Sequence, residues 1–578
     1  MDKKWVMKEQ GPADQVNSLA SGLGVDPVLA NLLVQRGIKS YEEARIFFNP
    51  DLKDLHDPFL MKDLEKAVRR IREAIENNEK ILIYGDYDVD GTTSVALVYS
   101  FLKKYYPNLL YYIPNRYTEG YGISSDGIDY AAENDVKLII ALDCGIKAVE
   151  KIAYAKERKI DFIVCDHHMP DGTLPDAFAI LDPKQPDCKY PFKDLSGCGV
   201  GFKLLQGLCT TSDFSFEELT NFLDLVAVSI ASDIVPITGE NRILAYFGIR
   251  RLNEEPCSGL KSIIKISGLE NKTIGIDDIV FKIGPPINAA GRMKSGRKSV
   301  DLLISSNDGL ARKIGDAINI FNNDRKSIDR RITNQAIEMI AADPDSSKKK
   351  STVLFNPKWH KGVIGIVASR LIETYYKPTV VLTESNGMAT GSARSVPGFD
   401  LYHAMENCSD LLVNFGGHTY AAGMTMEIDT IPAFRERFEK EVASKINEDL
   451  LTPKIEVDSL IALDKIIPRF YNTLRRFEPF GPGNMSPVFK AEKVIDNGMV
   501  KKVGASGKHL KLAITTENNT KMVLDAIGFN QAGNYQLINM GMPFDICFTI
   551  EENNYRNKRS LQLNIKDIKT REDRLFKT

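Results

Sequence analysis

From about residue 80, short continuous apolar runs alternate with stretches of helical period. KILIYG (80–85), VKLIIAL (136–142), IDFIVC (160–165) and AFAIL (177–181) predict strands, while TTSVALVYSFLKK (92–104) and KAVEKIAYAKERK (147–159) predict helices. Strands that are apolar on both faces and separated by helices predict a parallel sheet covered on each side. NFLDLVAVSIASDIVP (221–236) predicts an apolar helix that stops by Pro236. Residues 308–342 contain no proline and predict one long helix. Its apolar stripe is Ile314, Ile318, Phe321, Ile328 and Ile332. Its other faces carry Arg312, Lys313, Arg325, Lys326, Arg330 and Arg331. DPDSSKKKS (343–351) breaks the pattern. A second α/β unit follows, with STVLFN, GVIGIVASRLIETYY and TVVLTE. Beyond TPK (452–454) the runs become short strands between turns, from SPVFKAEKVIDNG to LQLNIKDI, and predict a small β-barrel. The expected division is 1–305, 306–345, 346–452 and 453–578.

Composition narrows the class. The chain has 578 residues, 43% hydrophobic and 26% charged, enough apolar surface for several cores. Its 75 Lys plus Arg against 77 Asp plus Glu leave a net charge of −2. That excludes a polycationic coating protein but not a local basic groove. No apolar run is long enough for a transmembrane helix, and MDKKWVMKEQGP lacks the apolar stretch of a signal peptide. Eight cysteines without a C-x-x-C pair read as reduced thiols, so a cytoplasmic protein is expected. No Walker A string is present, and GCGVG (197–201) reads as a turn opening a helix.

The chemistry concentrates at strand ends. GDYDVDG (85–91) places Asp86, Asp88 and Asp90 at alternate positions after the first strand. An EF-hand loop would need a bidentate Glu where this chain has Leu97. Asp143 ends the second strand, and Asp166, His167 and His168 end the third. Sites form at that edge of an open α/β sheet. Clustered carboxylates with one or two imidazoles suit two Mn²⁺ or Mg²⁺ ions. A shared carboxylate implies two-metal hydrolysis of a phosphate ester.

DYDVDG, LDCG, DHH and ASD (231–233) resemble the ordered motifs of the DHH phosphoesterases. YIPNRYTEGYG (112–122), GPPINAAGRM (284–293), GSARS (391–395) and GGHTYAAG (416–423) extend the resemblance to the bacterial 5′→3′ single-strand DNA exonucleases of that family. The resemblance spans about residues 40 to 570. It implies a catalytic domain with a parallel sheet, a long connecting helix, a DHH-associated α/β domain and a C-terminal OB fold. It also implies roles. Asp88, Asp90, Asp143, His167 and Asp233 match metal positions, with Asp143 as the bridge and Asp86 in the same cluster. His168 would stand near the scissile phosphate, and Asp166 would orient an imidazole. Arg116, Ser392 and Arg394 would form a 5′-phosphate pocket. Tyr121 would stack on a base, with ordinary packing as the rival reading, Arg292 would reach the backbone, and Gly416, Gly417 and His418 would contact the nucleotide. Single turns or helix packing are the competing reading of those glycines. Small-nucleotide relatives carry a His where this chain has Tyr84, which implies a weaker metal site or one completed by Asp86. Single-stranded DNA, a single-strand-binding protein and a helicase are the implied partners, in DNA repair and recombination. A phosphodiesterase for short or cyclic dinucleotides is the alternative enzyme. A non-catalytic replication scaffold ranks last, because the motif acids are all present.

Overall fold

The computed structural model describes residues 3–516, 519–555 and 558–570. It divides into two compact units, Leu52–Thr452 and a second made of Met1–Asp51 with Pro453–Thr578.

In the first unit a parallel sheet of five strands runs in the order Leu109–Tyr112, Lys80–Gly85, Val136–Leu142, Asp161–Cys165, Ala179–Leu181. The alternation of side chains explains the continuous apolar runs. Ile81 and Ile83 enter one core with Phe101 and Phe202. Leu82 and Tyr84 enter the opposite core with Ile128 and Phe162. Both faces are therefore buried, as a helix-covered parallel sheet requires. The edge strand Leu109–Tyr112 escapes the sequence pattern, being four residues long between Pro107 and Pro114. The helix Val89–Lys103 follows the first strand directly, and the helix Leu223–Ser232 stops at Asp233, ahead of Pro236.

The long helix is Asp308–Ala342, capped by Asn307, whose side chain accepts from Leu310 N. At 35 residues it is about 50 Å long. Its apolar stripe serves two cores. Ala311 and Ile318 join the core of the first sheet. Ile332, Ala336 and Ile340 pack instead with Val363, Val367 and Leu371 of the helix Ile364–Tyr375 and its surroundings. Asp329, almost fully buried on the helix, forms an ion pair with Arg370, its Oδ2 2.8 Å from Nη2. A second sheet, also of five strands, has the order Asn414–His418, Ala421–Met426, Met388–Arg394, Thr379–Ser385, Thr352–Phe355. The glycine-rich GGHTYAAG is thus a β-hairpin, with Gly416 opposite Gly423, and not a helix-packing segment.

The second unit holds the barrel. Strand Phe489–Asp496 pairs with Phe544–Tyr555 and also with His509–Thr516. Through Lys558–Lys569 and Asn519–Gly528 the ring closes. The expectation that residues 1–51 belong with the catalytic domain is corrected here. Lys4–Met7 pairs in parallel with Lys454–Val457. Leu19, Leu29, Leu32 and Leu33 of the N-terminal helices share one core with Phe477, Phe489 and Phe548. Those leucines form an apolar face whose partner lies more than 400 residues away, so no local pattern reveals it. Among the described residues, no helix is long and apolar enough to cross a membrane.

Candidate active site

The carboxyl edge of the first sheet gathers the acids. Asp88 caps the helix Val89–Lys103 and accepts from Gly91 N at 3.0 Å. In the first turn of that helix, Asp90 is buried and accepts from Gly197 N at 2.7 Å and Cys198 N at 2.8 Å. These are orphan amides at the start of the helix Gly197–Thr211, where the positive end of the helix favours an anion. Ser229 Oγ donates to Asp90 at 2.7 Å. GCGVG therefore does open a helix, and that helix end holds a motif acid in place. A Cβ on Gly197 would come within 2.6 Å of the Asp143 Cβ, so only glycine fits there.

Asp143 follows its strand with φ at +59°, a left-handed conformation that turns its side chain off the strand direction. His167 Nε2 lies 3.2 Å from Asp143 Oδ1, 3.7 Å from Asp90 Oδ2 and 3.6 Å from Asp233 Oδ2. After Asp233, Ile234 takes φ of +62°, unusual for a β-branched residue and exposed to solvent. The helix thus ends with Asp233 facing the cluster. Donor atoms of Asp90, His167 and Asp233 fall within 4.8 Å of one another, and so do those of Asp143, His167 and His168.

The electrostatics favour a cation. Burial, then the charges of Asp90, Asp88 and Asp233, push the Asp143 carboxyl far above the usual range. Burial, then Asp90 and Asp88, raise Asp233 to about 8. Asp86 and Asp88 are raised by burial and by their neighbouring acids. Burial lowers His167, leaving a neutral imidazole suited to a metal. Both of its ring nitrogens, and Asp86 Oδ2, are buried without a hydrogen-bond partner. Like charges driven together around orphaned donor atoms are what a divalent ion would relieve, so this donor set fits Mn²⁺ or Mg²⁺.

His168 stands apart. Its Nδ1 is 2.7 Å from Asp166 Oδ1, and its Nε2 is 3.3 Å from the Tyr121 hydroxyl. Burial alone would lower it, but the bond to Asp166 and that residue's charge raise it to about 9. Asp166 also accepts from the amides of Ile146, His167 and His168. Tyr84 turns away from the acids. Its hydroxyl donates to Gly122 O at 2.9 Å, and its ring stacks on Tyr112.

Beside the acids is a cationic pocket. Arg394 Nη1 donates to Ser392 Oγ at 2.9 Å, and Arg292 Nη1 to Gly362 O at 3.2 Å. Arg116 lies over the Tyr87 ring at 5.0 Å, and Tyr87 meets Tyr121 edge-on at 6.1 Å. Burial, then the charges of Arg116, Arg325 and Arg394, lower Arg292 to about 10. Burial, then Arg116, lower Arg394 as well. Guanidiniums that act on one another's charge in this way would be relieved by an anion such as a phosphate. Arg325 is legible in the sequence only as one of the basic residues of the long helix, whose basic face is expected to extend the groove, and Tyr87 carries no sequence signal. Gly416, Gly417 and His418 instead border a groove with Tyr121 and His168. At Gly417 φ is +153°, and a Cβ there would meet Ala421 O at 2.3 Å.

Comparison with known proteins agrees with this architecture. Residues 80–230 match the DHH family N-terminal domain, 348–444 the DHHA1 domain and 457–567 the RecJ OB domain. The single-stranded-DNA-specific exonuclease RecJ of Bacillus subtilis is 37% identical over 97% of this chain and 70% of its own length. That of Salmonella typhimurium is 31% identical over 96% and 98%. Among solved structures, Thermus thermophilus RecJ in complex with Mn²⁺ superposes with a TM-score of 0.84 at 25% identity, over 98% of this chain and 79% of that one. An exonuclease RecJ bound to manganese gives 0.59 at 29% identity, over 69% and 97%. With catalytic, associated and OB domains in the same order and the identity sustained along the chain, the protein belongs to the RecJ family of single-stranded-DNA-specific exonucleases.

Proposed function

We propose that the protein degrades single-stranded DNA from the 5′ end and releases mononucleotides by metal-dependent phosphodiester hydrolysis. The observation that carries this reading is the pairing of an acid cluster with a cationic pocket, linked through Tyr87 and Tyr121. Arg116, Ser392 and Arg394 would seat a terminal 5′ phosphate, and the next phosphate would then lie at the acids. Asp88, Asp90, Asp143, His167 and Asp233, with Asp86 beside them, would hold two Mn²⁺ or Mg²⁺ ions. Bound there, the ions would supply Lewis acidity to the scissile phosphate and acidify the attacking water. The chain's own groups do the positioning. The amides of Gly197 and Cys198 fix Asp90. Asp166 holds His168 at Nδ1, which leaves Nε2, now 3.3 Å from the Tyr121 hydroxyl, to turn its hydrogen bond toward the phosphate. A water oxygen bonds to phosphorus as the bond to the 3′ oxygen breaks, and that oxygen leaves with a proton.

The closed barrel, an OB-like fold, would contribute further single-strand contacts, mostly stacking and electrostatic. Dependence on single strands supports a helicase and a single-strand-binding protein as partners, and DNA as substrate supports the cytoplasm. The test is digestion of 5′-labelled single-stranded DNA, duplex DNA, a linear dinucleotide and a cyclic dinucleotide with Mn²⁺. Labelled mononucleotide from the single strand alone, or from it and the linear dinucleotide, is expected. Release of label last, or cleavage confined to dinucleotides, would overturn the reading.

A further inference from the structure

His168 also lines a groove of about 910 Å³, within the size range of ligand clefts. Tyr121, Asp166 and His168 border it, so it opens onto the acid cluster, but neither Ser392 nor any of the four pocket arginines does. Part of its lining is aromatic, from Tyr402 and Phe415. The Tyr402 ring lies 5.6 Å from that of Phe415, tilted by 41°. Tyr402 is 36% exposed and belongs to the short helix Leu401–Glu406. The charges of the groove are largely engaged. Lys147 pairs with Asp171 at 2.7 Å, Lys151 Nζ donates to Ser125 Oγ at 2.7 Å, and Asp400 accepts from His403 N at 3.1 Å. An aromatic wall among balanced charges suits the uncharged face of a base better than a phosphate.

We propose that this groove is a nucleobase subsite, in which Tyr402 stacks on the base of the first nucleotide of the strand retained after cleavage. The inference rests on the exonuclease reading. A strand with its terminal phosphate among the arginines and its next phosphate at the acids must carry the following nucleoside past His168. Phe415 backs the Tyr402 ring, and the tip of the hairpin at Gly416–His418 leaves room for the sugar.

The experiment is a cycle between Tyr402 and that base. Two 5′-phosphorylated oligonucleotides are compared with Mn²⁺, one intact and one with an abasic residue as the second nucleotide. One base stacked on an aromatic ring is worth roughly 5- to 150-fold, so the wild-type protein should lose about that factor in kcat/KM on the abasic strand. Tyr402→Ala should lose a similar factor on the intact strand and little more on the abasic one, bringing the ratio near one. Tyr402→Phe should keep the wild-type ratio. Should Tyr402→Ala fail to fold, Tyr402→Leu, which keeps apolar packing but no ring, decides the matter. An active wild-type protein whose ring-less variant keeps the full ratio would overturn the subsite alone. A folded wild-type protein inert on the intact strand would overturn the exonuclease reading and the subsite with it.

Discussion

Asp143 shows how a residue of the candidate site can oppose folding. Its carboxylate sits among Asp90, Asp88 and Asp233, and burial adds to their repulsion. Without metal, Asp143→Asn should therefore melt higher than the wild-type protein, by roughly 2 °C, the scale of about 1 kcal/mol. With excess Mn²⁺ the order should invert, because the wild type gains ion-binding free energy that the variant has lost. The variant should also be inactive. Melting curves in EDTA and in Mn²⁺ check both halves. At Gly197 the constraint is steric. An added Cβ meets Asp143 Cβ at 2.6 Å and Oδ1 at 2.8 Å. Gly197→Ala should lose on the order of 100-fold in kcat, as a misplaced reacting group does, while circular dichroism stays native-like. Arg394 tests the neighbouring pocket. Arg394→Ala should cost about 1.5–3 kcal/mol on 5′-phosphorylated strands and much less on 5′-hydroxyl strands. Equal losses on both would make Arg394 a general backbone contact.

At the scale of elements, the helix Asp308–Ala342 carries more than its apolar stripe suggests. Its N-terminal half packs with the first sheet and its C-terminal half with the helix Ile364–Tyr375. Between them, buried Asp329 pairs with Arg370 and lies close enough to Arg325 to act on its charge. Asp329→Ala would leave both guanidiniums without this carboxylate. Arg370 is half exposed, so the loss should fall below that of a fully buried pair, at about 1–3 kcal/mol in denaturant unfolding. Asp329→Ala should also weaken use of 5′-phosphorylated strands, through Arg325 and its neighbour Arg292. The element ends work differently. Asp88 caps the start of its helix, Asp143 follows its strand at positive φ, and Asp233 caps the end of the helix Leu223–Ser232.

For the whole molecule, the division into units sets where the chain can be cut. A truncation ending near Thr452 keeps Lys4–Met7 and the N-terminal helices but removes the strand and the aromatic core they pack against. That protein should expose apolar surface and aggregate. The fragment Leu52–Thr452 removes both segments together and keeps every acid and arginine of the site. It should melt cooperatively and hydrolyse short oligonucleotides with Mn²⁺, while losing affinity for long single strands most visibly at high salt. Light scattering, a melting curve and a length series of oligonucleotides check the pair. Unchanged affinity of the folded fragment for long strands would exclude the barrel from the DNA path.

The sequence by itself determined the elements and much of the chemistry. Apolar runs marked the strands Lys80–Gly85, Val136–Leu142 and Asp161–Cys165, because a side-chain period of two on a sheet buried on both faces leaves no polar position. The acids and histidines directly after those runs were legible for the same reason, since a parallel sheet presents all its strand ends at one edge. Asp233 was legible only through family resemblance. Tertiary structure alone decided that Ser229 and the helix end at Gly197 would hold Asp90, that Arg325 would come within electrostatic range of Arg292, and that the N-terminal leucines would complete the barrel's core. Local periodicity states which face of an element is apolar. It does not state which distant element will cover that face, and these contacts join residues roughly 30 to 500 positions apart.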